Sequence, residues 1–187
     1  MVRGLVTGIA LALALASSDA RASVSIAVTW DGLLHESTEA AVATPFESRS
    51  VWENSRIYTY THVRVDRPVA GDLAAGGEVW IRTMGGVVGK IGQLVEGEAV
   101  LVPGQSSLLF LHPGPVGAFE VTARGQGQFP VVVDEAAKAA PHLVRSHAVG
   151  ALLPPRAGSP RLAADVLHDR AVDAAAQDVA ADWGRLH

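Results

Sequence analysis

The sequence predicts an all-β protein: one small barrel of about five to seven strands, then an Ala/Pro-rich C-terminal tail and a single terminal helix. Three observations carry this. In the stretch 56–67, Ile57, Thr59, Thr61, Val63 and Val65 fall on one side of a period-two ladder and Tyr58, Tyr60, His62, Arg64 and Asp66 on the other. Nearly all are β-branched, aromatic or charged, the pattern of a half-buried strand. Further short apolar runs follow at close spacing, separated by glycine and proline, as a small barrel or sandwich requires and a helical bundle does not. The composition then changes at Asp134, beyond which alanine and proline dominate.

The elements follow in order. Ser23 to Trp30 alternates, with Val24, Ile26 and Val28 on one side, and reads as either a first strand or an extended leader. Asp31 is placed to cap a short helical turn holding Leu33 and Leu34. Ala40 to Trp52 reads as a strand interrupted at Pro45, which implies an edge or a bulge. Asn54 and Ser55 make the turn into the central ladder, since both side chains bond readily to local backbone. After the break at Pro68, Gly71, Gly76 and Gly77 comes the strand Glu78 to Thr83, whose Val79 and Ile81 share the apolar face of the first. Ser107 to Leu111 is too apolar to have a wet face. Ala118 to Ala123 and Gln128 to Val133 complete the barrel, which spans residues 23–133. Pro141, Pro154, Pro155 and Pro160 make 134–160 a linker. Residues 161–187 form a helix whose thin, largely alanine stripe (Leu162, Val166, Val172, Val179, Trp183) predicts weak docking.

The N-terminus carries an export pattern. One positive charge at Arg3, a 12-residue apolar run from Leu5 to Ala16, and Ala20-Arg21-Ala22 predict a signal peptide over 1–22 cut after Ala22. The run is too short to span a bilayer, which takes roughly 20 apolar residues, so no membrane span is expected after cleavage. The expected location is secreted or periplasmic. With no cysteine in 187 residues, the core is held by burial without disulfides. A net charge of −4, with lysine only at Lys90 and Lys138, argues against a nucleic-acid surface.

No constellation of catalytic residues is legible, and the expected catalytic, metal and cofactor sets are empty. The glycine-rich run Met84 to Gly92 fails phosphate-loop spacing: counting back from Gly89-Lys90, the required glycine falls at Met84, and Ile91 sits where a magnesium-binding hydroxyl belongs. It reads as a flexible, glycine-tolerant connection between strands. The seven histidines include one near pair, His142 and His147, in a proline-punctuated segment, and His35-Glu36 lacks the second histidine of a zinc-protease helix. No Gly-x-Ser-x-Gly elbow is present, and Asp66, Glu78 and Glu96 read as surface charge.

Candidate ligand-binding residues are Tyr58, Tyr60 and Trp80, with Gly85 and Gly86 beside them. Exposed aromatics on strands are how barrels often grip sugars and peptides. The competing reading is that, in a chain with only 5% aromatic residues, these rings close one end of the core.

The succession Ile57-Tyr58-Thr59 with Val63 and Val65, then Val79, Ile81-Arg82-Thr83, Gly85-Gly86 and Gly89, then Pro103-Gly104-Gln105 before Leu109-Phe110-Leu111, then Gly125-Gln126-Gly127 and Phe129, resembles a group of uncharacterised secreted bacterial proteins over residues 30–133. Their strand order is similar to that of the oligonucleotide/oligosaccharide-binding (OB) barrel, which is also found in the tissue inhibitors of metalloproteinases and netrin-like modules. Those inhibitors chelate zinc through an N-terminal cysteine and carry several disulfides. This chain would begin at Ser23 and has neither.

The expectation is thus a non-catalytic binding or interaction module for an unknown protein or cell-surface polymer. The alternatives are a secreted hydrolase or metalloenzyme, which needs His, Asp and Glu side chains meeting in a pocket, or an accessory domain of a secreted protease.

Overall fold

In a computed structural model, residues 24–134, 139–155 and 160–187 are described. The segment 1–22, expected as a signal peptide, lies outside the described residues. The elements in chain order are β1 (Val24–Ile26), α1 (Trp30–His35), β2 (Glu39–Glu53), β3 (Arg56–Ala70), β4 (Glu78–Met84), β5 (Gly86–Val88), β6 (Ile91–Gln93), β7 (Ser107–Pro113), β8 (Phe119–Val121), β9 (Gln128–Val132), β10 (His142–Leu143), β11 (Ala151–Leu153), α2 (Ala163–Leu167) and α3 (Val172–Leu186).

Five strands close a ring. β2 pairs antiparallel with β3, β3 with β4, and β7 with both β2 and β8, while β4 and β8 run parallel and seal the barrel. Numbered within the barrel, the order is first, second, third, fifth, fourth, and back to first, which is the OB-like topology. The remaining edge of β7 is shared: Ser107 to Leu109 bond β9, and Leu111 to Pro113 bond β8. β9 then carries β10 on its far side.

The long β2–β3 hairpin sets the curvature. Asn54 and Ser55 both take positive φ (48° and 64°), the geometry whose twist matches the flanking strands. Register shifts at Ala40/Ala41, Val42/Ala43 and Pro45/Glu47 bend β2 so that it pairs with β3 along its length and with β7 at its start. Pro45 therefore sits at a bulge within one continuous strand.

Two cores result. Inside the barrel, Ala43, Val63, Ile81, Ala99, Leu109, Leu111 and Val121 pack together, joined by buried Thr61 and Thr83. Outside it, Val42, Leu108, Phe110, Phe129 and Leu143 meet the helices through Trp30, Leu33, Leu34, Leu167 and Val179. β7 contributes to both, which is why its sequence has no polar alternation.

Several expectations are corrected. Thr29, not Asp31, caps α1, its Oγ1 accepting from the Gly32 N–H at 3.1 Å. The segment 134–160, expected as a linker, carries β10 and β11, the latter parallel to β1. The terminal helix is α3, which starts at Val172 rather than at Arg161; the separate short α2 precedes it, the break falling where the His168 cap turns extended and Asp169 takes a φ of 59°. Its docking is not weak: Ala175 and Val179 are fully buried. Alanines on the contact side let the helix approach closely, so a thin stripe still fills its groove.

The glycine-rich run is a formed hairpin, β5 with β6, rather than a flexible connection. Gly86 has a φ of 128°, and a Cβ there would overlap Thr59 Oγ1 and Ser50 Oγ, which are bonded to each other at 2.9 Å. Gly86→Ala is accordingly expected to cost about 2–4 kcal/mol, read as a lower urea midpoint at unchanged slope. An unshifted midpoint would mean that this close approach is absent in solution.

Candidate functional site

The strand alternation that buries Ile57, Thr61 and Val63 turns Tyr58, Tyr60 and His62 outward on β3, and Trp80, Arg82 and Met84 outward on β4. Register then sets them in rows: Tyr58 opposite Met84, Tyr60 opposite Arg82, His62 opposite Trp80. On the other side, β2 adds Val51, Arg49 and Glu47 to the same three rows. The bulge between Pro45 and Glu47 supplies an extra residue, Phe46, whose ring lies 4.4 Å from His62.

The outcome is an aromatic and cationic ladder on the outer wall. His62 stacks on Trp80 with centroids 4.4 Å apart and planes 8° from parallel, and Arg49 lies over Trp80 at 5.1 Å. Arg82 lies over the Tyr58 ring at 3.4 Å. Its Nη2 and Nε donate to Glu53 Oε2 at 2.7 and 3.2 Å, and its Nη1 to Glu120 Oε1 at 2.5 Å. Tyr60 donates its hydroxyl to Glu53 Oε1 at 2.6 Å.

One guanidinium thus serves two carboxylates. The Tyr60 hydroxyl and then the Arg82 guanidinium hold the Glu53 carboxyl below its ordinary range. Burial, and then the hydrogen bond to Glu53, push the Tyr60 phenol up. At Arg82, burial opposes the charge, but the hydrogen bonds to Glu53 and Glu120 outweigh it and raise its pKa. The ladder is a preorganised surface whose side chains are already held in place.

This bridge divides two clefts. One, of about 310 Å³, is walled by Arg49, Val51, Glu53, Tyr60, Trp80 and the β7–β8 connection at Val116 to Ala118. The other, of about 350 Å³, is walled by Tyr58, Arg82, Met84, Glu98, His112, Glu120, Val121, Ala123 and Arg124. In OB-like barrels this wall, formed by the second and third strands, and the adjoining loops are the surface that receives polymeric ligands.

The five sequence-predicted residues are not all brought together. Tyr60 and Trp80 share the first cleft and Tyr58 lines the second, so all three belong to one face. They are half-buried on that face and do not close the core, whose aromatics are Trp30, Phe110 and Phe129. Gly85 and Gly86 line a third pocket of about 200 Å³ with Thr59, Thr83 and Gln93, which shares Met84 and Glu98 with the second cleft. Sequence reasoning missed Arg49, Glu53, Arg82, Glu98 and Glu120. The alternation already set Arg82 two residues from Trp80 on the wet face. Glu53, Glu98 and Glu120 reach the site only through turns and long-range pairing.

His35 and His187 lie with ring centroids 6.4 Å apart, while His62 and His112 have separate partners. His62 Nε2 lies 3.3 Å from Glu78 and its Nδ1 3.9 Å from Glu47, while His112 bonds Thr122 at 3.2 Å and faces Glu120 at 3.7 Å. Among the described residues, no group of three or more His, Asp or Glu is arranged to hold a metal ion. No helix among them is long and apolar enough to cross a membrane. Comparison of the chain with protein-family models, with curated proteins and with solved structures found no match.

Proposed function

We propose that the protein is an exported, secreted or periplasmic, non-catalytic binding module that grips an extended protein or cell-surface polymer across the outer wall of β3 and β4. The observation that carries this reading is the prearranged ladder of Tyr58, Tyr60, His62, Trp80 and Arg82 between two clefts. Flat rings offer contact area at little entropic cost, and the side chains that hold them are already fixed. The carboxylates of Glu47, Glu53, Glu78 and Glu120 on the same wall disfavour a phosphate backbone, so the ligand is not a nucleic acid. Export rests on the charged, apolar and small-residue succession of residues 1–22.

The test is a peptide and glycan array probed with the purified protein and with Trp80→Ala, followed by titration of whatever is retained. Trp80→Ala is expected to weaken binding about tenfold or more, as loss of a central aromatic contact does. Retention that is equal for both proteins would refute the outer wall as the gripping surface. Mass spectrometry of the protein from its host tests export separately: a mature form beginning after Ala22 supports it, and an intact Met1 refutes it.

A further inference from the structure

The β5–β6 hairpin is anchored at its root. Ile57 ties it to the barrel: its C=O accepts the Gly85 N–H at 2.8 Å, and its N–H donates to Gln93 Oε1 at 2.9 Å. Ser50 Oγ accepts the Val87 N–H at 3.3 Å. Among the described residues the two strands pair with each other and join no larger sheet. A two-stranded hairpin is marginal in water by itself, so these root bonds fix its place.

Its side chains are nonetheless apolar and open to solvent. Val87 is 65% exposed, Ile91 55% and Leu94, just past β6, 95%. Val87 pairs with Gly92 and Val88 with Ile91, so strand alternation sets Val87 and Ile91 on opposite faces. Trp52, paired with Ile57 at the end of the β2–β3 hairpin, adds a half-exposed indole at the same end. One exposed apolar side chain is ordinary, whereas four at one end of the molecule mark a contact surface. The charges beside them select the partner. Lys90 in the hairpin turn and Arg56 at the start of β3 are both exposed, in a chain whose net charge is −4. Of the acids nearby, Glu53 is bonded to Tyr60 and Arg82, and Glu96 follows Leu94. A protein surface laid against a strand pair covers one of its faces. A headgroup layer surrounds an inserted tip on every side, takes an indole at its boundary and lets lysine and arginine reach the phosphates.

We propose that the β5–β6 hairpin, with Trp52 beside it, is a shallow anchor that inserts into the headgroup region of an anionic lipid bilayer. It spans nothing: a few apolar side chains with two cations give reversible attachment to a surface. The anchor is independent of the outer wall of β3 and β4, whose ladder residues it does not use.

Titration of the protein purified from its host with phosphatidylcholine vesicles, with and without phosphatidylglycerol, tests this by flotation. Leu94→Ser is expected to weaken binding to the anionic vesicles about tenfold, the loss of one inserted aliphatic side chain. Lys90→Gln is expected to weaken it about fivefold on the anionic vesicles and to leave the neutral ones unchanged. Both positions are exposed, so both variants are expected to melt with the native protein. Tryptophan emission is expected to shift to the blue on the anionic vesicles, and Trp52→Phe to remove that shift. All variants share one N-terminus, so any contribution of residues 1–22 cancels in the ratios. Absence of flotation, or equal flotation of the native protein and Leu94→Ser, overturns the proposal. A dimer in lipid-free solution that Leu94→Ser dissociates also overturns it, in favour of a second copy of the chain on this end.

Discussion

Val179→Asp is expected to lower the melting temperature by about 8 to 16 °C, the equivalent of roughly 4 kcal/mol in a chain of this size. Val179 is fully buried in the outer core with Trp30, Leu33 and Leu34. A carboxylate there has no water and no cation, so it either stays charged at high cost or forces α3 off the barrel. Detachment would also strand Trp30, whose indole N–H donates to Asp182 Oδ2 at 2.6 Å. That bond, ahead of the attraction of Arg185 and Arg161, holds the Asp182 carboxyl below its ordinary range. Further ties run from Arg67 to Asp173 and from Arg185 to Asp31. They are exposed and each contributes little, so packing decides the docking. Differential scanning calorimetry checks this: two separate transitions in the native protein, or a Val179→Asp variant that melts with it, would show that the helix is an independent appendage.

Arg82→Met is expected to destabilise the protein by about 2–4 kcal/mol at neutral pH, because it leaves Glu53 and Glu120 facing each other without their shared cation. The effect has a definite pH dependence. In the native protein the Glu53 carboxyl lies below 4.5, so the unfolded chain binds the proton first as pH falls. Its contribution is complete above that value and is lost as pH drops through the lowered one. In Arg82→Met the Glu53 carboxyl loses the cation that helps hold it low, so the variant loses less stability on acidification than the native protein. The gap between the two is therefore widest near pH 7 and shrinks below about pH 4. Urea denaturation at the two pH values measures it. A gap that stays constant would mean that the loss comes from packing of the guanidinium on Tyr58 alone.

The sequence by itself determined the strands that have one wet face, because alternation is a local property. It also determined the Asn54-Ser55 turn, the double-sided burial of Ser107 to Leu111 and the shared face of Tyr58, Tyr60 and Trp80. The tertiary structure alone decided what those residues face. Ring closure by the parallel β4–β8 contact brings Glu120 to Arg82 across 38 positions, and the hairpin turn returns Glu53 to the same guanidinium across 29. Glu98 enters the cleft from a segment with no periodicity at all. The α3 stripe misled because sequence reports the size of apolar side chains, not the shape of the groove that receives them: small alanines fit a close approach that larger residues would prevent. Periodicity tells which way a side chain points, and only closure of the chain in three dimensions tells what it meets there.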